Sequence, residues 1–139
     1  MSQKPVITVE DITKTALEER RPGCGKAMLH EDAPVQTAVY RVQPGSGVPT
    51  HLHARVYDLF IGVTGNLEIR YEGEHGNGTF VLKPGGFCRM PPGVRHELSN
   101  PSKTEETVFL LVQASQEDFD YVPAAFRTIE AALPFSPRM

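Results

Sequence analysis

Between about Gln36 and Ser115 the chain is a series of short strand-like runs, each closed off by turn residues. No other feature restricts the fold as much. Thr37–Val42 alternates, with Ala38, Tyr40 and Val42 on one side and Arg41 on the other. Leu67, Ile69 and Tyr71 alternate with Glu68, Arg70 and Glu72, as in a half-buried strand with one wet face. Residues 73–78 (GEHGNG) form a turn, after which Phe80 and Leu82 point inward. Thr107–Val112 (TVFLLV) is apolar on both faces, the pattern of a strand covered on both sides. The 12 glycines and 12 prolines show no low-complexity repetition, and turns in that number favour an all-β architecture. The spacing predicts a sandwich or barrel. At 139 residues, one domain over 1–139 is expected, with its core at about 36–115.

The ends are expected to differ from this middle. Val6–Val9 suits a short N-terminal edge strand. Tyr121, Phe126, Ile129 and Leu133 have roughly helical spacing, with Asp120 and Pro123 near a helix start. A C-terminal helical segment is therefore expected, packed on the barrel or on a second subunit.

Charge and composition exclude several partners. Lys and Arg number 14 against 17 Asp and Glu, a net charge of −3 with no basic stripe, which argues against nucleic acid. The mixed-sign cluster Glu18-Glu19-Arg20-Arg21 is taken as a solvated segment ahead of the Pro22–Gly23 turn. No apolar run is long enough for a membrane helix. The start MSQKPVITVEDITK lacks a basic stretch followed by an apolar core, so a cytoplasmic location is expected. Cys24 and Cys88 are far apart and imply no disulfide framework; Cys88 is taken as a small buried apolar side chain.

Five histidines occur, at 30, 51, 53, 75 and 96. Side chains on a strand repeat every second residue, so His51 and His53 in T-H-L-H project to one face. Two imidazoles presented together offer two nitrogen ligands at chelating distance. His96 follows the tight turn Pro91-Pro92-Gly93 and opens another run, where it too can aim inward. His30 and His75 are taken as surface or satisfied core residues without a ligand role.

These residues carry a family resemblance. Residues 45–65 (GSGVPTHLHARVYDLFIGVTG) resemble the first cupin motif, G-x5-H-x-H-x3-4-E-x6-G, with Gly45, His51, His53 and Gly65 in register and Asp58 where the family has glutamate. Residues 85–100 (GGFCRMPPGVRHELSN) resemble the second, G-x5-P-x-G-x2-H-x3-N, at Gly85, Pro91, Gly93, His96 and Asn100. The resemblance implies a small single-domain cupin, a double-stranded β-helix or jelly-roll barrel. It also implies one divalent transition metal per chain on His51, His53, His96 and the motif-one carboxylate. Aspartate is one methylene shorter than glutamate, so Asp58 is either a ligand at a contracted site or a neighbour that leaves three histidines and water. A barrel without metal is the third outcome.

Fold alone does not give function, and cupins host oxygenases, lyases, isomerases and non-catalytic binders. The ligand set favours a mononuclear Fe(II) dioxygenase-type oxidoreductase on a small organic molecule, with Mn, Ni, Zn or Cu as other metals. The alternatives are a non-redox lyase or isomerase on a small acid or sugar, and a binding or sensor module without turnover. Candidate pocket groups are Tyr40, Tyr57 and Arg89. Phe87 and Arg89 share one face of their strand and Cys88 and Met90 the other, so Arg89 either recognises a substrate carboxylate or is an exterior charge. A homodimer paired through sheet edges is expected.

Overall fold

The computed structural model describes residues 6–116 and 118–127. Eleven strands follow in chain order: β1 (Glu18–Arg21), β2 (Cys24–Asp32), β3 (Val35–Val42), β4 (Gly47–Leu52), β5 (Tyr57–Thr64), β6 (Leu67–Gly73), β7 (Gly76–Leu82), β8 (Phe87–Met90), β9 (Arg95–Ser99), β10 (Thr107–Ala114) and β11 (Val122–Pro123). They make two antiparallel sheets, one ordered β1-β2-β3-β10-β5-β8 and the other β11-β4-β9-β6-β7. This is an all-β double-stranded β-helix in which the chain crosses between the sheets at each step from β3 to β6 and again at each step from β7 to β11. Among the described residues no helix is long and apolar enough to cross a membrane.

The strand alternation of the sequence becomes inside and outside. Phe60 and Phe109, fully buried, face Leu67 and Ile69 across the core, and each such side chain contributes about 1.5–3 kcal/mol of burial. On β8, Met90 is buried while Phe87 and Arg89 are exposed, so the Phe87–Arg89 face points out. The outer face of β6 is not wet. Arg70 and Glu72 are buried because 126–127 lies over them, with the Arg70 guanidinium 4.1 Å from the Phe126 ring centre and the Arg127 amide donating to Glu72 Oε1 at 2.7 Å.

Both end expectations are corrected. Val6–Val9 forms no strand, and Val6, Ile7 and Val9 are exposed, because β1 occupies the sheet edge beside β2. Near the C-terminus the described residues carry no helix. Val122 and Pro123 instead pair with Leu52 and His51. Asp120, expected near a helix start, spends its carboxylate on the amides of Ala54 and Arg55 at 2.5 and 3.1 Å. Ile129 and Leu133 lie outside the described residues.

Turn residues hold the ends of the barrel. Gly65 has φ 69°, and a Cβ there would stand 2.5 Å from the Glu106 carbonyl oxygen, so only glycine fits. Asn100 is a structural hub: its Nδ2 donates to the carbonyls of Val42 and Glu105 at 2.9 and 2.8 Å, and its Oδ1 accepts from the Ser102 amide at 2.9 Å. Replacing Asn100 by Ala strands these backbone groups in a buried setting. We expect a loss of about 3 kcal/mol, measured as a lower urea midpoint at unchanged slope; an unchanged midpoint would show that the 100–105 loop holds itself.

Candidate metal centre

The site is assembled from both sheets. His51 on β4 and His96 on β9 are direct cross-strand partners, with ring centres 4.3 Å apart. A register shift between Val48 and His51 re-aims β4, and the exposed Pro49 sits in it without needing to donate a ladder hydrogen bond. His53 follows the end of β4. The turn of the second motif fixes its backbone, because the Gly93 amide donates to the His53 carbonyl at 2.7 Å. Asp58 comes from β5 of the opposite sheet. One ligand atom from each of His51, His53, Asp58 and His96 lies within 4.8 Å of the others, and all four residues are buried.

Each imidazole is oriented by its Nδ1. His51 donates to the Pro49 carbonyl at 2.8 Å, His96 to the Val94 carbonyl at 2.9 Å, and His53 to the Asp120 carbonyl at 2.5 Å. With the proton on Nδ1, every Nε2 carries a lone pair, the form a metal requires. Two of these lone pairs meet a carboxylate: His53 Nε2 lies 3.0 Å and His96 Nε2 3.3 Å from Asp58 Oδ2. His53 Nε2 is buried and not aligned to make a hydrogen bond. A proton or a metal ion can bridge these nitrogens to the carboxylate, and the donor set of three imidazoles and one carboxylate fits a metal ion. The second Asp58 oxygen, Oδ1, accepts from Gln113 Nε2 at 2.9 Å. The shorter aspartate arm therefore does reach the histidine cluster.

The electrostatics differ between the histidines: His51 is kept neutral, whereas the ionised Asp58 favours a proton on His53 when no cation is present. Burial, reinforced by His96, holds His51 down at about 3 and so keeps it neutral. Burial would raise Asp58, but hydrogen bonding and charge from His53 and His96 outweigh it and hold the carboxyl below its usual range. For His53, burial is opposed and overcome by Asp58 and then Asp120, so its value rises.

The other sequence candidates separate cleanly. Tyr40 lines the same cavity of about 480 Å³ as His51, His53 and Asp58, with its ring stacked on Phe109 at 4.9 Å. Tyr57 and Arg89 do not reach that cavity. Both project from the outer face of their sheet, with the Arg89 guanidinium 4.6 Å from the Tyr57 ring centre, because strand alternation turns Asp58 and Met90 inward instead. His30 is exposed and the His75 side chain is 94% exposed, as expected. Cys24 and Cys88 are both free. Burial, with the Asp58 charge, pushes the Cys88 thiol up to about 11, so it is inert.

Sequence reasoning missed three contributors. Gln113 interrupts the inward apolar series Phe109, Leu111 at period two, a signal that was available. Asp120 and Tyr121 had no local signal: the Tyr121 ring stacks on His51 at 4.5 Å, and only the return of the C-terminal segment brings it there. Arg20, Arg21 and Lys26 also line the cavity, while Glu18–Arg20 remain exposed, in keeping with a solvated segment.

A buried cluster of three imidazoles and one carboxylate lies between the sheets of a small β-helix and could hold a metal ion. A model of the cupin domain matches residues 38–113, more than half of the chain, and the chain belongs to that family. A comparison with curated proteins finds no match. Among solved structures, the chain is similar to the Lactobacillus farciminis oxalate decarboxylase in its formate complex, at 17% identity and TM-score 0.66, over 77% of this chain and 33% of that one. An oxalate oxidase matches at 21% identity and TM-score 0.65, over 82% of this chain and 64% of that one. The TT1209 protein of Thermus thermophilus matches at 21% identity and TM-score 0.67, over 78% of this chain and 98% of that one. The chain thus spans a third of the decarboxylase and less than two thirds of the oxidase. At these identities the likeness shows the fold.

The histidines make the metal-free protein pH-sensitive. His51 is 6.5 when unfolded and about 3 when folded, so its contribution to stability is complete above 6.5 and is lost as pH falls towards 3. His53 acts in the opposite sense: its contribution is complete below 6.5 and declines as pH rises through its raised folded value. Asp58 loses its contribution only below 3.8. Between pH 6 and 4, His51 should therefore set a loss of about 1.4 kcal/mol per unit. Urea titration of chelator-treated protein should show that slope, and His51→Gln should flatten it; an equally steep variant would assign the slope elsewhere.

Proposed function

We propose that this protein is a metal-dependent enzyme, a mononuclear non-haem dioxygenase-type oxidoreductase acting on a small organic molecule. The reading is carried by the convergence of three imidazoles, each tied back through Nδ1, and one buried carboxylate beside a cavity. Bound there, a divalent transition metal, Fe(II) before Mn, Ni, Zn or Cu, supplies redox capacity and open coordination positions. The chain's own part is to hold the donors and exclude water. Asp58 offers negative charge, Gln113 fixes its second oxygen, and Tyr121 covers the His51 ring.

Tyr40 bears on the choice of chemistry. Burial pushes its phenol above the ordinary value, which suits it to donating a hydrogen bond to a bound substrate and makes it a poor base. A lyase or isomerase relying on a tyrosine base is correspondingly less well supported. The neighbouring folds include an oxalate oxidase and an oxalate decarboxylase, so the fold accommodates both redox and non-redox outcomes.

Oxygen dependence decides between them. Purified protein reconstituted with Fe(II), Mn, Ni or Zn should bind about one metal per chain, and oxygen uptake should appear with small phenols, diketones or thiols. Turnover that continues without dioxygen would move the assignment to a lyase or isomerase. Ligand-induced stabilisation without product would make the protein a binder. Metal affinity should fall in the order wild type and Asp58→Glu, then Asp58→Asn, then Asp58→Ala, with the last weaker by at least 10- to 100-fold. If Asp58→Ala holds metal as tightly as wild type, the site is a three-histidine one.

The same reading includes a cytoplasmic homodimer. The free thiols Cys24 and Cys88 support a reducing compartment. Exposed Val6, Ile7 and Val9 support pairing, because an exposed β-prone apolar segment gains by being covered. Light scattering should give twice the chain mass of 15.4 kDa; a monomer at micromolar concentration refutes the pairing.

A further inference from the structure

The inward face of β2 breaks the rule that a barrel interior is apolar. Strand alternation turns Cys24, Lys26 and Met28 towards the cavity, and all three line it. A lysine between two apolar inward positions is out of place in a structural strand, because its charge loses water. Lys26 is half-buried, and its ammonium sits 5.4 Å from the centre of the Tyr40 ring. Arg20 and Arg21 from β1 line the same end of the cavity.

These cations are poorly neutralised. Among the described residues, neither Lys26 nor Arg21 is paired with a carboxylate, and Arg20 meets only Glu18, at 3.7 Å and largely in water. Glu31 and Asp58 are the carboxylates whose charge reaches Lys26. Burial, and then Arg20, nevertheless hold its ammonium below the ordinary lysine value. An anion entering here would relieve both effects.

Strand register separates this end from the metal cluster. One row across the sheet runs Asp58, Gln113, Gln36, Glu31. The next row is the apolar band Phe60, Leu111, Ala38, Met28. Beyond it come Phe109, Tyr40 and Lys26. The cavity therefore has a metal-type end and a cationic end with an apolar band between them. We propose that Lys26, flanked by Arg20 and Arg21, is an anion subsite, and that the substrate is a small organic acid whose carboxylate docks there while its reacting end faces the histidine cluster. The role of the reacting end rests on the metal-enzyme reading; the subsite itself does not. Lys26 supplies the point charge, the arginines the planar donors that suit a carboxylate, and the apolar band a place for the intervening carbons.

The test uses glutarate and adipate against their uncharged diamides, titrated by calorimetry into metal-free and metal-loaded protein. The acids should bind and the diamides should not. Lys26→Met, an apolar residue at an inward position, should weaken acid binding by at least about tenfold, as loss of a charged hydrogen bond predicts. Arg20→Gln and Arg21→Gln should each cause a smaller loss, and metal content should stay at the wild-type level in all three. Acid binding that exceeds diamide binding and depends on Lys26, in either form of the protein, supports the subsite. Equal binding of acids and diamides, undiminished acid binding in Lys26→Met, or no acid binding at all overturns it. The acid-to-diamide comparison in wild type decides the matter even if a variant does not fold. Wild type that takes up no metal sinks the metal reading alone, because the metal-free titration still reports on Lys26.

Discussion

An ionised carboxylate at 1% exposure inside a β-barrel is the constraint around which this structure is arranged. Without compensation, desolvation at Asp58 would cost several kcal/mol or force the group to take up a proton. The barrel meets that cost from both sheets. His53 and His96 bring Nε2 atoms to one oxygen of the carboxylate, and Gln113 brings an amide to the other. Because each histidine is already committed through Nδ1 to a backbone carbonyl, its Nε2 is the nitrogen left to meet Asp58 through a proton or a metal ion.

The supports of the three imidazoles come from different parts of the chain, and this ties the site to the whole fold. His51 and His96 use carbonyls two residues back along the chain, so their orientation is local. His53 uses Asp120, which lies 67 residues away and whose carboxylate also pins the amides of Ala54 and Arg55. The C-terminal segment is thus a strap across the site: one residue holds His53, and the next stacks on His51. A helix over those residues, as their spacing first suggested, would carry these groups elsewhere. Closure across β4 prevails because it satisfies buried polar groups that an exposed helical turn would not.

Division of labour along the cavity follows from the register of one sheet. Neighbouring strands place side chains of equal depth side by side, so rows of like character form across β5, β10, β3 and β2. Polar groups collect in the Asp58 row and aromatic and cationic groups in the Tyr40 row. An apolar band between them keeps the core continuous with Phe60 and Leu111.

The amino-acid sequence by itself determined the architecture and most of the metal cluster. Period-two alternation and turn glycines act over a few residues, so they could be read locally: His51 and His53 share a face because a strand repeats every second residue, and Gly65 and Gly93 turn because a side chain would be strained at their positive φ. His96 and Asp58 were found through motif spacing, and that Asp58 reaches the cluster became visible only once the two sheets faced each other. Gln113, Asp120, Tyr121, the inward Lys26 and the cavity-edge cations Arg20 and Arg21 belong to what the tertiary structure decided. Their roles depend on which strands become neighbours and which face is covered. Pairing of β1 with β2 brings the largely solvated Arg20 and Arg21 to the cavity edge, and β8, by turning Met90 inward, makes Arg89 the exterior charge that was one of its two readings. Local periodicity assigns a side chain to one of two faces; only long-range packing decides which of them is the inside.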